Sequence, residues 1–133
     1  MLRFNSIVVC DEIRTEITGK DILIGVFSGE ILVSAFPAVI GVAFWSEIEN
    51  SDEDIGFREY ELRIGVENGQ PLPFKVTADI RAAGTSALKI PTVRIPVSGP
   101  TVISLELFEG ENWQVLKSKK VLLIGQQSAA TPN

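Results

Sequence analysis

The side chains that most enzymes use for chemistry are scarce in this sequence. It contains no histidine and a single cysteine, Cys10. Without an imidazole, a serine or cysteine nucleophile has no such base to activate it, and the ligands of an ordinary zinc site are missing. The glycine-rich motifs that bind phosphates and dinucleotides are also absent. The sequence therefore predicts a protein that is not an enzyme, with no catalytic residues, no metal and no cofactor. Carboxylate chemistry remains as the alternative.

The densest run of carboxylates lies at residues 47–54. Within it, Asn50, Asp52 and Asp54 have the alternate spacing of a calcium-binding loop, and Glu61 falls where the bidentate glutamate of such a loop would be. The loop requires a glycine after its third ligand, but this sequence has an isoleucine there. We interpret the segment as a solvated hairpin loop, with weak adventitious calcium binding as the alternative.

A second charged segment follows Cys10. In a β-strand, Glu12, Arg14 and Glu16 would share one face because successive side chains point to opposite sides. One interpretation is an exposed charge ladder, which would contribute little to stability. The other is a recognition strip in which the planar guanidinium of Arg14 meets a carboxylate of a partner. A hydrolase with carboxylates converging from this segment is a more remote alternative.

Aromatic residues give a third lead. Phe44 and Trp45 are adjacent, so in a strand they point to opposite faces, and Phe108 likewise points away from Leu107. A large exposed aromatic side chain on a small acidic domain is typical of an interface, although a loop or turn could also cover it. Trp113 follows a turn and is expected to cap the core. The predicted partner-binding residues are Trp45, Phe108, Glu12, Arg14 and Glu16.

In the segments that must position these residues, apolar and polar side chains alternate with a period of two. Residues 57–66 alternate between apolar and polar side chains, and residues 103–107 do the same. A helical turn is conceivable only at residues 79–87. The predicted fold is all-β, an immunoglobulin-like two-sheet antiparallel sandwich, with a small β-barrel as the alternative. The predicted strands span residues 4–9, 12–17, 21–27, 30–33, 39–49, 57–66, 74–80, 89–95, 102–108 and 113–124. The alternative for the first two is one strand that is broken at Cys10 and Asp11.

Length and charge set the remaining expectations. The 133 residues carry a formal net charge of −5, which argues against a nucleic-acid partner. Residues 22–45 contain one formal charge but are interrupted by glycines and a proline, which indicates strands rather than a membrane span. We expect one domain over residues 1–124, a disordered tail at 125–133, and a cytoplasmic location, since the single cysteine cannot form an internal disulfide.

The segment from Cys10 to Val33 carries a resemblance. Cys-Asp-Glu-Ile-Arg-x-Glu-x-x-x-Lys, followed by Leu-Ile-Gly-Val-Phe-Ser-Gly-Glu-Ile, resembles a family of small uncharacterised bacterial β-sandwich proteins of immunoglobulin-like type. Residues 93–124 are similar to the C-terminal half of that family. The long acidic loop and the region around Phe36 and Pro37 depart from the family pattern. The resemblance implies the sandwich fold and supplies no activity and no site residues.

The function that these observations favour is a non-enzymatic protein-binding or assembly module, such as an accessory protein of bacterial or phage origin. Its expected partner is another protein or a second copy of the chain, because an open sandwich keeps strand edges that can pair. The alternative is a protein that binds a small apolar ligand between its sheets.

Overall fold

The structure is a computed structural model and describes residues 3–126. The all-β prediction is confirmed, since β-strands account for most of these residues. A short 3-10 turn, Asp52–Asp54, lies in the acidic segment. The strands are β1 (Arg3–Thr15), β2 (Asp21–Val26), β3 (Ile31–Val33), β4 (Ala38–Asn50), β5 (Gly56–Val66), β6 (Leu72–Ile80), β7 (Gly84–Val97), β8 (Thr101–Glu109) and β9 (Asn112–Leu123).

The strands form two sheets, as predicted. The four-stranded sheet has the order β2-β1-β4-β7, and the five-stranded sheet has the order β3-β9-β8-β5-β6. Neighbouring strands are antiparallel except for β3 and β9, which are parallel. Alternate side chains of both sheets fill the space between them, and residues such as Val42, Leu62, Ile64 and Leu105 are almost fully buried there. We call the side of a sheet that faces away from this core its outer side.

The four-stranded sheet is curled. Strand β1 pairs with β4 as far as Cys10 and with β2 from Cys10 onward. Although β4 separates β1 from β7 in the sheet, the Thr92 hydroxyl on β7 donates to the Asp11 carbonyl on β1 at 2.7 Å. Lys89 Nζ, also on β7, lies 3.0 Å from the Thr15 hydroxyl. The β1-β2 hairpin therefore folds over the outer side of β4 toward β7.

The structure decides two alternatives that the sequence left open. The segments 4–9 and 12–17 belong to one continuous strand that ends at Thr15. The helical turn considered for residues 79–87 does not form, because β6 continues to Ile80 and β7 already begins at Gly84. Residues 84–88 pair with the end of β4, so tertiary pairing outweighs their modest strand propensity. Of the predicted disordered tail, residues 127–133 lie outside the described part of the chain.

Among residues 3–126, the structure contains no helix that is both long enough and apolar enough to cross a bilayer.

Candidate functional site

The candidate site lies on the outer side of the five-stranded sheet, where β5, β8 and β9 are neighbours. Strand pairing places Arg63 opposite Glu106, Glu106 opposite Val115, and Phe108 opposite Trp113. The intervening residues Leu62, Leu105 and Leu107 are buried on the other side. We call the group of Arg63, Glu106, Phe108, Trp113 and Val115 the arginine–aromatic face.

A β-bulge in β9 creates this face. The pairing shifts by one residue between Leu105, which lies opposite Lys117, and Glu106, which lies opposite Val115. Leu116 is therefore the extra residue in β9. Because a shift of one residue moves every later side chain to the other side of a sheet, Trp113 faces outward instead of toward the core. The prediction that Trp113 caps the core is wrong for this reason.

An ion pair organises the centre of the arginine–aromatic face. Arg63 donates from Nε and Nη2 to Glu106 Oε1 at 3.3 and 3.0 Å. The second carboxylate oxygen, Oε2, accepts a hydrogen bond from the Ser104 hydroxyl at 3.0 Å. The side chains of Arg63 and Glu106 are 29% and 12% exposed, so this pair is better shielded from solvent than an ordinary surface salt bridge.

Gly65 makes the position of the Glu106 carboxylate possible. A Cβ atom at position 65 would overlap Glu106 Oε2 and would lie 3.0 Å from the Ser104 hydroxyl oxygen. A larger residue would therefore displace the carboxylate that holds Arg63. Glycine is needed here for close approach, and not for an unusual backbone conformation.

Two aromatic rings complete the face. The Arg63 guanidinium carbon lies 4.1 Å from the centre of the Trp113 ring, which is the geometry of a cation–π contact. The Phe108 and Trp113 ring centres are 5.1 Å apart, with their planes inclined at 56°. Beside them, Val115 is 57% exposed. Fixed aromatic rings around a planar cation form a rigid surface that mixes apolar area with one strong hydrogen-bond donor.

Shallow hollows flank the Arg63 side chain. One, of about 350 Å³, has Gly65, Pro71 and Ser104 in its lining. The other, of about 260 Å³, is bounded by Glu61, Pro73 and Trp113 together with neighbouring residues. The face is therefore gently undulating and has no deep cavity at Arg63. Such relief suits contact with another macromolecular surface better than enclosure of a small molecule.

No protein-family model, curated protein or solved structure matches the chain.

Of the predicted partner-binding residues, only Phe108 belongs to the arginine–aromatic face. Trp45 points away from the core, as the alternation predicts, but on the outer side of the other sheet, beneath the β1-β2 hairpin. Its indole Nε1 donates to Asp21 Oδ2 at 3.0 Å. The other oxygen of Asp21 lies 3.0 Å from Lys89 Nζ and accepts from the Thr15 hydroxyl at 2.9 Å.

These bonds fix the charge state of Asp21. The hydrogen bond from Trp45 is the main cause that lowers the pKa of the Asp21 carboxyl, and the bond from Lys89 acts in the same direction. The Asp21 side chain is 13% exposed, so the cluster is largely shielded from solvent. Trp45 is thus engaged within the protein's own fold, through a carboxylate that the hairpin supplies.

The charged strip lies apart from both tryptophans. Arg14 Nε donates to Glu12 Oε2 at 2.6 Å on the exposed side of the β1-β2 hairpin. Glu16 lies beyond the end of β1 in the turn, where its backbone carbonyl accepts from the Gly19 N–H at 2.9 Å. The strip is therefore a single pair, Glu12 with Arg14, next to the exposed Ile24 of β2. Its role in binding a partner stays a prediction.

The remaining chemical candidates have structural positions. Cys10 is completely buried, and this burial raises the pKa of its thiol above the ordinary value. In the acidic segment, Asp54 accepts hydrogen bonds from the Ser51 backbone N–H at 2.9 Å and from the Ser51 hydroxyl at 3.0 Å. Within residues 3–126, no three acidic, cysteine or histidine side chains are grouped so as to hold a metal ion.

Proposed function

We propose that this chain is an immunoglobulin-like sandwich that serves as a non-enzymatic protein-binding module. The strand order supports the fold assignment: immunoglobulin sheets carry the orders A-B-E and G-F-C-C′. In this chain the corresponding orders are β1-β4-β7 and β9-β8-β5-β6. They agree when β1, β4, β5, β6, β7, β8 and β9 are lettered A, B, C, C′, E, F and G in the order of the chain. The resemblance of the N-terminal segment to bacterial immunoglobulin-like proteins belongs to the same proposal.

The arginine–aromatic face is the observation that carries the binding function. Tryptophan and arginine are enriched among the residues that dominate binding energy at protein interfaces, and they act from rigid, well-packed positions. Here Trp113 is held between Arg63 and Phe108, and Arg63 is held by Glu106. Their geometry is fixed before a partner arrives, which lowers the entropy cost of association.

The open form of the surface favours a folded protein as the partner. The face crosses three strands, roughly 10 Å at a spacing of about 4.8 Å, and it is open on its outer side, whereas small-molecule sites are concave. Phe108 and Val115, which are 38% and 57% exposed, supply the apolar area of the face. Phe57 lies on the same side of β5, but Glu59 and Glu61 separate it from Arg63. Apolar patches of this kind on a monomer are typical of interaction sites.

Charge adds a requirement for the partner. Arg63 uses Nε and Nη2 for Glu106, and its third nitrogen, Nη1, has no partner among the described residues. We propose that a carboxylate of a different protein, surrounded by apolar side chains, approaches this nitrogen. A second copy suits the face less well, because a two-fold contact would bring each guanidinium toward its own equivalent.

The experiment places a photo-crosslinking amino acid at Val115, with Val39 as the matched control. Both valines are exposed, at 57% and 63%, but Val39 belongs to the four-stranded sheet. We expect one protein to crosslink in cells from position 115 and not from position 39. That protein is then purified and its affinity is measured by titration calorimetry.

The decisive variant is Trp113→Ala. It should weaken binding of the purified partner at least tenfold, since hot-spot residues contribute about 2 kcal/mol or more. The double variant Glu12→Ala, Arg14→Ala should bind normally if the arginine–aromatic face is the contact. Equal crosslinking from both positions, or an affinity that Trp113→Ala leaves unchanged, would contradict the proposal. Thermal unfolding of each variant establishes that it is folded.

A further inference from the structure

A second site lies where the two sheets end on the same side of the molecule. Strand β6 is the last strand of the five-stranded sheet and β7 is the last strand of the four-stranded sheet. Only residues 81–83 connect them. Among the described residues, each of these strands has a strand partner on one side only. Every second residue of each strand therefore directs its backbone N–H and C=O toward the open edge.

A cleft of about 550 Å³ separates the two edges. Its floor is apolar and includes Ile48, Val76, Ile80 and Leu88. Small residues form much of the rest of its lining: these are Ala78, Ala82, Ala83, Gly84, Ser86 and Ala87. The charged residues Asp79, Arg81 and Lys89 also line it, and Arg81 pairs with Asp79. The cleft thus combines an apolar floor with exposed strand backbone, which is the surface that a β-strand recognises.

Asn50 supplies an independent sign of a missing partner. It ends β4 and lines the cleft, and its Nδ2 donates to the Ser86 hydroxyl at 3.3 Å. Its Oδ1 is buried and accepts no hydrogen bond within residues 3–126. Rotating the amide would leave the nitrogen unpaired instead, so one polar atom stays unsatisfied in either orientation. Buried polar atoms are rarely left unpaired. Because the unsatisfied atom is itself covered, an incoming strand can pair with it only if the Asn50 side chain turns toward the cleft.

The other strand edges are protected, whereas this one is open. At the opposite end of the sheets, β3 has only three residues. The neighbouring edge strand, β2, is distorted at Gly25, where φ is +68° and the Asp11 carboxylate occupies the space of a Cβ atom. Short edges and bulges prevent unwanted pairing. In β7, the prolines at 91 and 96 protect the second half of the strand, but residues 84–90 contain no proline.

We infer that the cleft between β6 and β7 binds an extended peptide segment of a partner protein, which adds as a strand to the edge of residues 84–90. The peptide would extend the four-stranded sheet by one strand beyond β7. Its alternate side chains would be apolar, because those that face inward meet Ala78, Ile80 and Leu88. This site is separate from the arginine–aromatic face, and either can exist without the other.

The test begins with a phage-displayed library of linear 12-residue peptides, selected on the wild-type protein. We expect enrichment of sequences with apolar residues at alternate positions. The best peptide is synthesised with a fluorescent label, and its affinity is measured by anisotropy. Failure to enrich any peptide, or enrichment of peptides without the alternate pattern, would overturn the inference.

Matched variants then locate the peptide. Ala78→Leu fills the cleft and should weaken binding at least tenfold. The same change at Ala35, an exposed residue between β3 and β4, should alter the affinity less than twofold. Trp113→Ala should also leave the affinity unchanged, which separates this site from the proposed protein-binding face. Binding that persists in a folded Ala78→Leu variant would overturn the assignment.

Two measurements on the wild-type protein do not depend on the folding of variants. Amide hydrogen exchange should show new protection at residues 84–90 when the peptide is bound. Two N-methylated peptides are compared, one modified at the odd positions and one at the even positions. One should lose binding and the other should keep it, because a strand pairs through every second residue. Unchanged exchange at residues 84–90, or equal affinity of the two N-methylated peptides, would contradict strand addition. A wild-type dimer that Ala78→Leu dissociates would assign the cleft to a second copy of the chain instead.

Discussion

The two tryptophans of this protein lie on the outer sides of opposite sheets, and their surroundings differ. Trp45 is covered by the β1-β2 hairpin, and Asp21 of that hairpin accepts its indole N–H. Trp113 is packed by Arg63 and Phe108 on an open face, and no described residue accepts its N–H. The first arrangement holds the four-stranded sheet in its curled form. The second presents a rigid aromatic surface to solvent. An aromatic residue that points away from a core is therefore informative about binding only when the chain itself does not cover it.

The sharpest test of this contrast is the removal of each ring. Trp45→Ala should lower the free energy of unfolding by about 3 kcal/mol, because it leaves a cavity under the hairpin and removes the donor to Asp21 Oδ2. Trp113→Ala should cost less, about 1–2 kcal/mol, the size of one cation–π and one aromatic contact. Urea unfolding followed by circular dichroism measures both. Equal losses would mean that the two rings have the same structural role.

The charge of Asp21 gives a second test, through pH. Because its folded-state pKa is lowered, chiefly by the Trp45 hydrogen bond, ionised Asp21 stabilises the fold above the unfolded-state pKa. That stability is lost as the pH falls below about 4 and through the folded-state pKa. At pH 7, Asp21→Asn should cost about 1–2 kcal/mol, since a hydrogen bond to a charged group is weakened. The gap between the variant and the wild type should narrow progressively as the pH falls below about 4 and through the lowered folded-state pKa of Asp21. A gap that is independent of pH would show that the charge is irrelevant to the cover over Trp45.

The smallest effect is expected from the exposed strip on the hairpin. Arg14→Ala should change the free energy of unfolding by less than about 0.5 kcal/mol, although the Arg14 Nε–Glu12 Oε2 distance is only 2.6 Å. The two side chains are 66% and 44% exposed, so solvent and salt screen their attraction. Thermal melts at low and high salt measure the change. A loss comparable to that of Asp21→Asn would mean that the pair helps to hold the hairpin in place.

The sequence allowed the fold class and the inward and outward side chains of single strands to be predicted. Tyr60, Leu62 and Ile64 alternate with charged residues, and the structure places them toward the core as that pattern requires. Asn68 and Gly69 mark a tight turn, and Asn68 indeed has a positive φ of 62°. These features depend on local sequence, so local sequence reveals them.

The candidate site depends on features that are not local. Trp113 reaches the outer side because β9 has one extra residue, Leu116, opposite β8. The sequence of neither strand alone predicts that bulge. Trp45 is covered because the β1-β2 hairpin folds back toward Lys89, which lies far along the chain. Gly65 could have been a signal, since a glycine within a regular strand often marks close approach of another group. The group that approaches it, Glu106, could not be identified without the register of β5 and β8.

The position of β3 has a consequence for the order of events during synthesis. The β1-β2 hairpin forms between residues close in sequence, so it can assemble as soon as its residues are free to pair. Strand β3 follows directly, but its only strand partner among the described residues is β9, and Ile31 must wait for Val121, roughly ninety residues later. On a ribosome adding about 5–20 residues per second, that is a delay of several seconds. The β1-β2 hairpin can therefore form early, whereas β3 is added to the five-stranded sheet only as the last strand is completed.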